Sequence, residues 1–107
     1  MADAVIIVLT QMPNRTSAQA LARAIVEERL AACVSIGAPA DSLYHWRGQI
    51  ETAQEVPVAI KTRAGCYAAV EAAILARHPY ELPEILAVPI HHGLERYLDW
   101  IGAETGG

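Results

Sequence analysis

Short apolar runs alternate along this chain with two longer segments of helical periodicity. Residues 4–10 are mostly β-branched and too few for a helix, so they predict a buried strand. Residues 32–36 predict a second strand, and residues 56–62 predict a third because apolar side chains alternate there. Residues 85–90 predict a last strand before the break at Gly93.

The segments between these runs predict helices. Residues 18–30 carry apolar side chains on one stripe and charged ones opposite, which indicates an amphipathic helix that Thr16 or Ser17 can cap. Residues 64–77 are Ala-rich with apolar residues at helical spacing, and a following proline ends this second helix. Residues 94–101 fit a short terminal helix.

A long hairpin is predicted between the two main helices. Residues 37–39 break the second strand, the chain resumes at residues 42–46, and Arg47-Gly48 marks a turn before the return. Pro57 cannot donate to a ladder, so we expect it near a sheet edge or a bulge. The order β-α-β-β-α-β with a helical tail is typical of the ferredoxin-like α+β fold, in which two helices cover one face of a four-stranded antiparallel sheet.

Both faces of the first strand are apolar. Val5, Ile7 and Leu9 point one way, whereas Ile6 and Val8 point the other. An antiparallel sheet with one wet face would instead alternate apolar and polar side chains. Because two helices cover only one face, we expect neighbouring subunits to cover the other, and the alternative is that the open face binds a ligand.

The length and composition of the chain limit the number of domains and the kinds of partner to expect. A chain of 107 residues predicts a single domain over residues 1–107, with an ordered core of about residues 4–101 and fraying at residues 104–107. Hydrophobic residues make up 53%, above the roughly 45–50% usual for soluble domains, which favours burial under another subunit. The net charge is −4 and the basic residues are scattered, so nucleic acid is not an expected partner.

Several further classes of protein are not expected. No apolar run approaches the roughly 18–20 residues of a membrane span, and the first residues show no signal-peptide pattern, so we expect a cytoplasmic protein without membrane insertion. Cys33 and Cys66 predict free thiols rather than a disulfide. The chain lacks a Gly-rich phosphate loop and the Cys-x-x-Cys and His-Glu-x-x-His motifs, so we expect no enzyme and no required cofactor.

Five stretches of the sequence are distinctive when taken together. They are residues 28–34 (ERLAACV), 42–50 (SLYHWRGQI), 60–62 (IKT, preceded by Glu55), 78–85 (HPYELPEI) and 97–101 (YLDWI). In this combination the chain resembles the CutA family, named for divalent-cation tolerance. The resemblance implies homotrimers built through the long hairpins, with an architecture similar to that of PII-type signalling proteins. It also implies a role in copper tolerance, with copper or another divalent cation as a ligand.

The sequence departs from the family pattern where members with a described copper site hold their ligands. Thr10 and Arg77 stand where those members have Cys and a second His, and Ser35 stands where Asn is usual. His78 is the remaining candidate metal ligand of that set. It follows a predicted helix, where it is either a ligand favoured as imidazolium by the helix dipole or a capping residue.

The expected ligand-binding cleft between subunits consists of Cys33, Trp46, Glu55, Lys61, Tyr80 and Glu84. Cys33 either offers a thiolate to a soft ion or is an inert thiol. Glu84 is expected to be buried and paired, Glu81 solvated, and Glu55 and Lys61 joined in an ion pair on one strand face. Trp46 and Tyr44 are expected to pack against a neighbour. His91 and His92 are expected at the surface, facing opposite ways.

Three functions compete at this point. The first is a metal-tolerance or ligand-sensing trimer that binds at clefts near His78, Cys33 and Glu84. The second is a PII-like signalling or interaction trimer without a metal role. The third is a hydrolase, for which the sequence offers only Cys33 or Cys66 as a nucleophile.

Overall fold

The computed structural model of the chain describes residues 3–106. Met1, Ala2 and Gly107, which bear on the predicted cytoplasmic location and on the predicted fraying, lie outside the described residues. The elements are β1 (Val5–Met12), α1 (Arg15–Glu27), β2 (Cys33–Ile36), β3 (Ala40–Trp46), β4 (Gln49–Arg63), a 3-10 turn (Ala64–Cys66), α2 (Tyr67–Arg77), β5 (Leu86–Pro89) and α3 (Glu95–Glu104).

The strands form an antiparallel sheet in the order β2-β4-β1-β5, and β3 pairs with β4 beside this path. This confirms the predicted ferredoxin-like fold, with β2 and β3 as two pieces of one predicted strand. The pieces are separate because the N–H of Gly37 donates to the carbonyl of Pro57 at 2.9 Å, and pairing resumes only between Ala40 and Glu55. Pro57 therefore lies in a central strand, and its missing N–H faces the interruption between β2 and β3.

Several element boundaries differ from the sequence expectation. The strand β1 runs two residues beyond the predicted end at Thr10, because Gln11 and Met12 continue the ladder with β4. The cap of α1 is Asn14, not Thr16 or Ser17. Its side-chain carbonyl accepts the backbone N–H of Ser17 at 2.8 Å, and the helix therefore begins earlier than expected.

The core lies between the sheet and the helices α1 and α2. Alternate residues of β1, namely Ile6, Val8, Thr10 and Met12, are buried, and the residues between them are half-buried. Leu21 and Ile25 of α1 and Val70 and Ile74 of α2 are fully buried against the sheet. Only one sheet face is therefore covered by these helices within the chain.

The other face stays partly open, as the apolar pattern predicted. Ile7 and Leu9 are half-buried, and in the neighbouring strand β5 the side chains of Leu86 and Val88 are 57% and 45% exposed. Paired residues share a face, so Ile7 lies beside Val88 and Leu9 lies beside Leu86. We call these four residues the open apolar face.

The C-terminal segment is more ordered than predicted. The helix α3 continues to Glu104, and Ile101 and Thr105 are only 1% and 4% exposed. The carbonyl of Thr105 accepts the Nε–H of Arg63 at 3.0 Å, and its hydroxyl donates to the carbonyl of Ile101 at 2.8 Å. The predicted fraying at Glu104 and Thr105 is wrong, because the bond from Arg63 ties the segment to β4.

The hairpin of β3 and the first half of β4 extends away from the sheet, and the chain measures 47 × 26 × 23 Å. Its two-residue turn has positive φ at both Arg47 (51°) and Gly48 (79°), the signature of a type I′ turn. Leu43 and Ile50 are each 70% exposed. A two-stranded ribbon is marginally stable in water by itself.

Candidate functional site

A cleft of about 760 Å³ lies between the hairpin and the loop of residues 79–84. The strand β3 places Tyr44 and Trp46 on one face of the hairpin, and Glu55 lies on that same face at the hairpin base. Tyr80 and Glu84 of the loop face them across the cleft. The structure thus brings together four of the predicted site residues, namely Trp46, Glu55, Tyr80 and Glu84.

Glu55 is the buried acid of this cleft. It is 8% exposed, and no other carboxylate among residues 3–106 is buried. The pKa of Tyr80 is raised above its usual value of 10.0, chiefly by burial and then by a hydrogen bond to Glu55, with smaller effects from the charges of Glu55 and Tyr44. Within the described part of the chain, the Glu55 carboxylate has no cationic partner.

Two further carboxylates border the cleft. Glu81 pairs with Arg47 at 2.8 Å, and the Arg47 guanidinium lies 5.3 Å from the centre of the Trp46 ring. Both partners of this ion pair are about 70% exposed, so it contributes little stability. Glu84 is exposed and forms no ion pair within residues 3–106, so the prediction that it is buried and paired is wrong. Its neighbours in the chain, Pro83 and Ile85, are the half-buried residues.

Lys61 and Cys33 form a second cluster, on the open sheet face. Register pairs Cys33 with Lys61 and Lys61 with Ile7, so these side chains lie in one row across the sheet. The Lys61 ammonium is 3.9 Å from the sulfur of Cys33 and 3.4 Å from the hydroxyl of Ser35. Both distances exceed the length of a strong hydrogen bond donated by nitrogen, so this ammonium lacks a good acceptor.

The two clusters are separated along β4. Glu55 and Lys61 are six residues apart on one strand, which at the strand rise places them roughly 20 Å apart. The predicted ion pair between them is therefore wrong, since a shared face does not bring such distant residues together. A smaller cleft of about 280 Å³ lies between the clusters and is bordered by Gln11, Pro57 and Glu84.

His78 caps the C-terminus of α2. Its backbone N–H donates to the carbonyl of Ile74 at 2.8 Å. Its Nδ1 accepts the backbone N–H of Tyr80 at 3.2 Å, so its Nε2 carries the proton that is donated to the carbonyl of Gln11 at 2.6 Å. Both ring nitrogens are thus engaged, and no group of three or more potential metal ligands occurs within residues 3–106.

The remaining candidates are at the surface or in the core. His91 and His92 are exposed as predicted, but they follow the end of β5 and their rings are 4.7 Å apart, edge to face. They do not face opposite ways because they are not strand residues. Both cysteines are free, with Cys33 half-buried and Cys66 buried.

Sequence reasoning missed Gln11, Arg47 and Ser35 as members of the site. The Gln11 carbonyl fixes the His78 ring, Arg47 closes the cleft tip through Glu81, and Ser35 contacts Lys61. Only Ser35 had a signal in the sequence, since it is two residues from Cys33 on one strand and so shares its face. The other two contacts join elements that are distant along the chain.

A family model described as the CutA1 divalent ion tolerance protein matches residues 6–104. The chain belongs to this family. A curated relative, the divalent-cation tolerance protein CutA of Thermus thermophilus, is 41% identical over 100 residues, which are 94% of this chain and 97% of that protein. This confirms the family resemblance found in the sequence.

Solved structures of family members have the same fold. The crystal structure of CutA from Xylella fastidiosa has a TM-score of 0.92 and 43% identity, covering 95% of this chain and 98% of the other. The structure of the periplasmic divalent cation tolerance protein CutA from Archaeoglobus fulgidus has a TM-score of 0.91 and 37% identity, covering 94% and 98%. No helix within residues 3–106 of our chain is long and apolar enough to cross a membrane.

Proposed function

We propose that this CutA family member acts in divalent-cation tolerance as a homotrimer that binds copper or another divalent cation at the clefts between its subunits. The observation that carries the proposal is a cleft bordered by two carboxylates, Glu55 and Glu84, neither of which pairs with a cationic side chain among residues 3–106. Lys61 and Cys33 lie beside the open apolar face. The names of the relatives, which refer to divalent-cation tolerance, support the same role.

The open apolar face supports assembly. Each apolar side chain that moves from water into an interface contributes about 1.5–3 kcal/mol, and this face carries Leu86 and Val88 at about half exposure. The hairpin adds Leu43 and Ile50, which are exposed on a ribbon that is marginal in isolation. Multi-angle light scattering should return three times the 11.5 kDa chain mass. A folded particle of the single-chain mass would refute the assembly.

The chemistry of the cleft suits a cation. Carboxylate oxygens of Glu55 and Glu84 offer hard donors, and Cys33 offers a soft one on the sheet face that a neighbour would bring closer. His78 can act as a ligand if its Nδ1 gives up the hydrogen bond from the Tyr80 N–H and binds the metal instead. This bond, at 3.2 Å, is longer than the bond from Nε2 to Gln11 and is therefore the one more easily exchanged.

Calorimetry with Cu²⁺ tests the metal role. We expect the wild type to release or absorb heat at a stoichiometry of one ion per cleft, and Glu84→Gln and His78→Ala to weaken the binding. His92→Ala is the matched control because this histidine is exposed and lies outside the cleft. Equal heats for wild type and His78→Ala would remove His78 from the site, and no heat for the wild type would reject copper as a ligand.

The proposal places the protein in the cytoplasm and gives it no catalytic role. One relative is named as periplasmic, so fractionation of the native source is the direct measurement of location. For catalysis, Cys66 is 7% exposed, which suits a core thiol rather than a nucleophile. An alkylation rate that rises steeply between about pH 6 and about pH 9 agrees with ordinary thiols, whereas a rate that is already high at about pH 6 and stays flat would favour an activated cysteine.

A further inference from the structure

We propose that the exposed ion pair between Arg47 and Glu81, which we call the tip ion pair, positions the loop of residues 79–84 against the hairpin and thereby sets the affinity of the cleft for a divalent cation. The inference rests on the proposed function, since it concerns the same cleft. It assigns a positioning role to two residues that do not bind the cation themselves. It follows from the way in which the two walls of the cleft are joined.

The two carboxylates of the cleft belong to different walls. Glu55 lies in β4 at the base of the hairpin, and its side chain is 8% exposed. Glu84 lies in the loop of residues 79–84 and is exposed. Oxygen ligands must lie within roughly 2.0–2.6 Å of a divalent ion. A cation that binds both carboxylates therefore requires the loop to stay against the hairpin.

The loop has few contacts that would hold it there. Among residues 79–84 only Pro83 is half-buried, and the others are exposed. No backbone-to-backbone hydrogen bond joins this loop to any other part of residues 3–106. Segments with little burial and few hydrogen bonds open locally at a low cost in free energy. The position of the loop therefore depends on the contacts of its side chains.

One ion pair joins the loop to the hairpin within the described residues. Nη2 of Arg47 lies 2.8 Å from Oε2 of Glu81. The Arg47 guanidinium also lies over the Trp46 ring, 5.3 Å from its centre, which is within the range of a cation–π contact. A single side chain thus contacts both walls of the cleft at the tip of the hairpin.

The turn of the hairpin places this arginine. Arg47 has a φ of 51° in the type I′ turn, a position that Asn and Gly usually take. A residue other than glycine that is held at positive φ points to a role for its side chain. From this position the guanidinium reaches Glu81, which is 34 residues away along the chain.

The tip ion pair is weak enough to be adjustable. Its two side chains are 70% and 72% exposed, and an exposed pair of this kind changes an equilibrium by at most about fivefold. Salt loosens such a pair, since the Debye length falls from about 10 Å at 0.1 M to about 3 Å at 1 M ionic strength. The position of the loop, and with it the affinity of the cleft, should therefore respond to ionic strength.

Two variants that change the charge of the cleft in opposite directions test the proposal. Arg47→Gln removes a positive charge and Glu81→Gln removes a negative one, but each breaks the tip ion pair. Calorimetry with Cu²⁺ should show that both weaken binding by about twofold to fivefold. A direct effect of charge would instead make Arg47→Gln bind the cation more tightly. The double variant, Arg47→Glu with Glu81→Arg, should recover most of the affinity because it restores the pair with its charges exchanged.

Acrylamide quenching of Trp46 fluorescence measures the position of the loop without any metal. The background for all variants is Trp100→Phe, because Trp100 is the only other tryptophan in the sequence. Quenching should rise in Glu81→Gln, which leaves the arginine beside the ring. Glu27→Gln is the matched control, because Glu27 forms an exposed ion pair of 2.9 Å with Arg23 on α1, and its loss should change neither quenching nor Cu²⁺ binding.

The outcomes separate this inference from the proposed function. Tighter binding by Arg47→Gln, or unchanged quenching of Trp46 in Glu81→Gln, would overturn the positioning role and leave the metal function intact. A wild type that gives no heat with Cu²⁺ or Zn²⁺ would overturn both. Weaker binding by both single variants, with recovery in the double variant and no change in Glu27→Gln, supports the positioning role.

Discussion

Two buried threonines of the same sheet should respond in opposite directions to the same substitution. Thr10 of β1 and Thr62 of β4 are 1% and 0% exposed, and both face the helices. The hydroxyl of Thr62 donates to the carbonyl of Leu30 at 2.6 Å. The hydroxyl of Thr10 has no hydrogen-bond partner among the described residues. Replacement by valine exchanges each hydroxyl for a methyl group of nearly the same size.

The magnitudes follow from this difference. A buried hydroxyl without a hydrogen bond costs about 1–3 kcal/mol in proteins, so Thr10→Val should raise the free energy of unfolding by an amount in that range. Thr62→Val removes a bond and leaves the Leu30 carbonyl unsatisfied, so it should lower the free energy of unfolding by about 1–3 kcal/mol. The sign is opposite although the burial, the element type and the chemical change are the same.

Urea denaturation is the suitable assay. All variants must be compared at one protein concentration, because the apparent stability of an oligomer depends on that concentration. At about 4–8 °C per kcal/mol for a chain of this size, thermal melts should also separate the two variants clearly, with Thr10→Val above the wild type and Thr62→Val below it. Equal slopes in urea would show that the substitutions act on stability rather than on the unfolded chain.

One result would refute the reasoning directly. If Thr10→Val destabilises the protein as much as Thr62→Val, then the Thr10 hydroxyl makes an interaction that the chain by itself does not provide. The Thr10 position would then belong to a polar network of the assembled protein. A rise in stability for both variants would instead mean that the bond from Thr62 to Leu30 contributes less than its burial costs.

Three further substitutions test other local features. Gly48→Ala should lower the free energy of unfolding by about 1–2 kcal/mol in urea, because alanine is strained at a φ of 79°; an unchanged midpoint would mean that the turn adapts. Asn14→Ala should cost about 1 kcal/mol through loss of the cap of α1, with Asn14→Ser retaining most of it. The pKa of Tyr80 should fall towards 10.0 in Glu55→Gln, measured by absorbance against pH. Because the folded pKa is raised, the stability that Tyr80 contributes is present below pH 10.0 and is lost as the pH rises through the folded value, and this loss should shrink in Glu55→Gln.

Local patterns predicted most of the fold because the signals they use are short in range. The apolar run of residues 4–10 and the Arg47-Gly48 turn each depend on neighbouring residues, and both are present. Boundaries were less accurate where tertiary pairing decided them. Gln11 and Met12 look like turn residues before a proline, but the opposite strand β4 extends the ladder to include them. The terminal Thr105 is ordered by Arg63, which lies far away along the chain.

The site was predicted less well than the fold. Four members of the cleft were predicted correctly, since Trp46, Glu55, Tyr80 and Glu84 line one cavity. The predicted ion pairs were wrong, because Glu84 is exposed and Lys61 lies far from Glu55. A face assignment from alternation tells which side of a sheet a residue occupies, but not how far it lies from another residue of that side.

The sequence by itself determined the order of strands and helices, the family, and the presence of apolar side chains on both faces of the first strand. These depend on periodicity and on short motifs, which the chain encodes locally. The tertiary structure alone decided that His78 has both ring nitrogens engaged and that Glu55 is buried with no cationic partner among residues 3–106. Hydrogen bonding and burial depend on which distant segments meet, and that is fixed only when the loop of residues 79–84 folds against the hairpin.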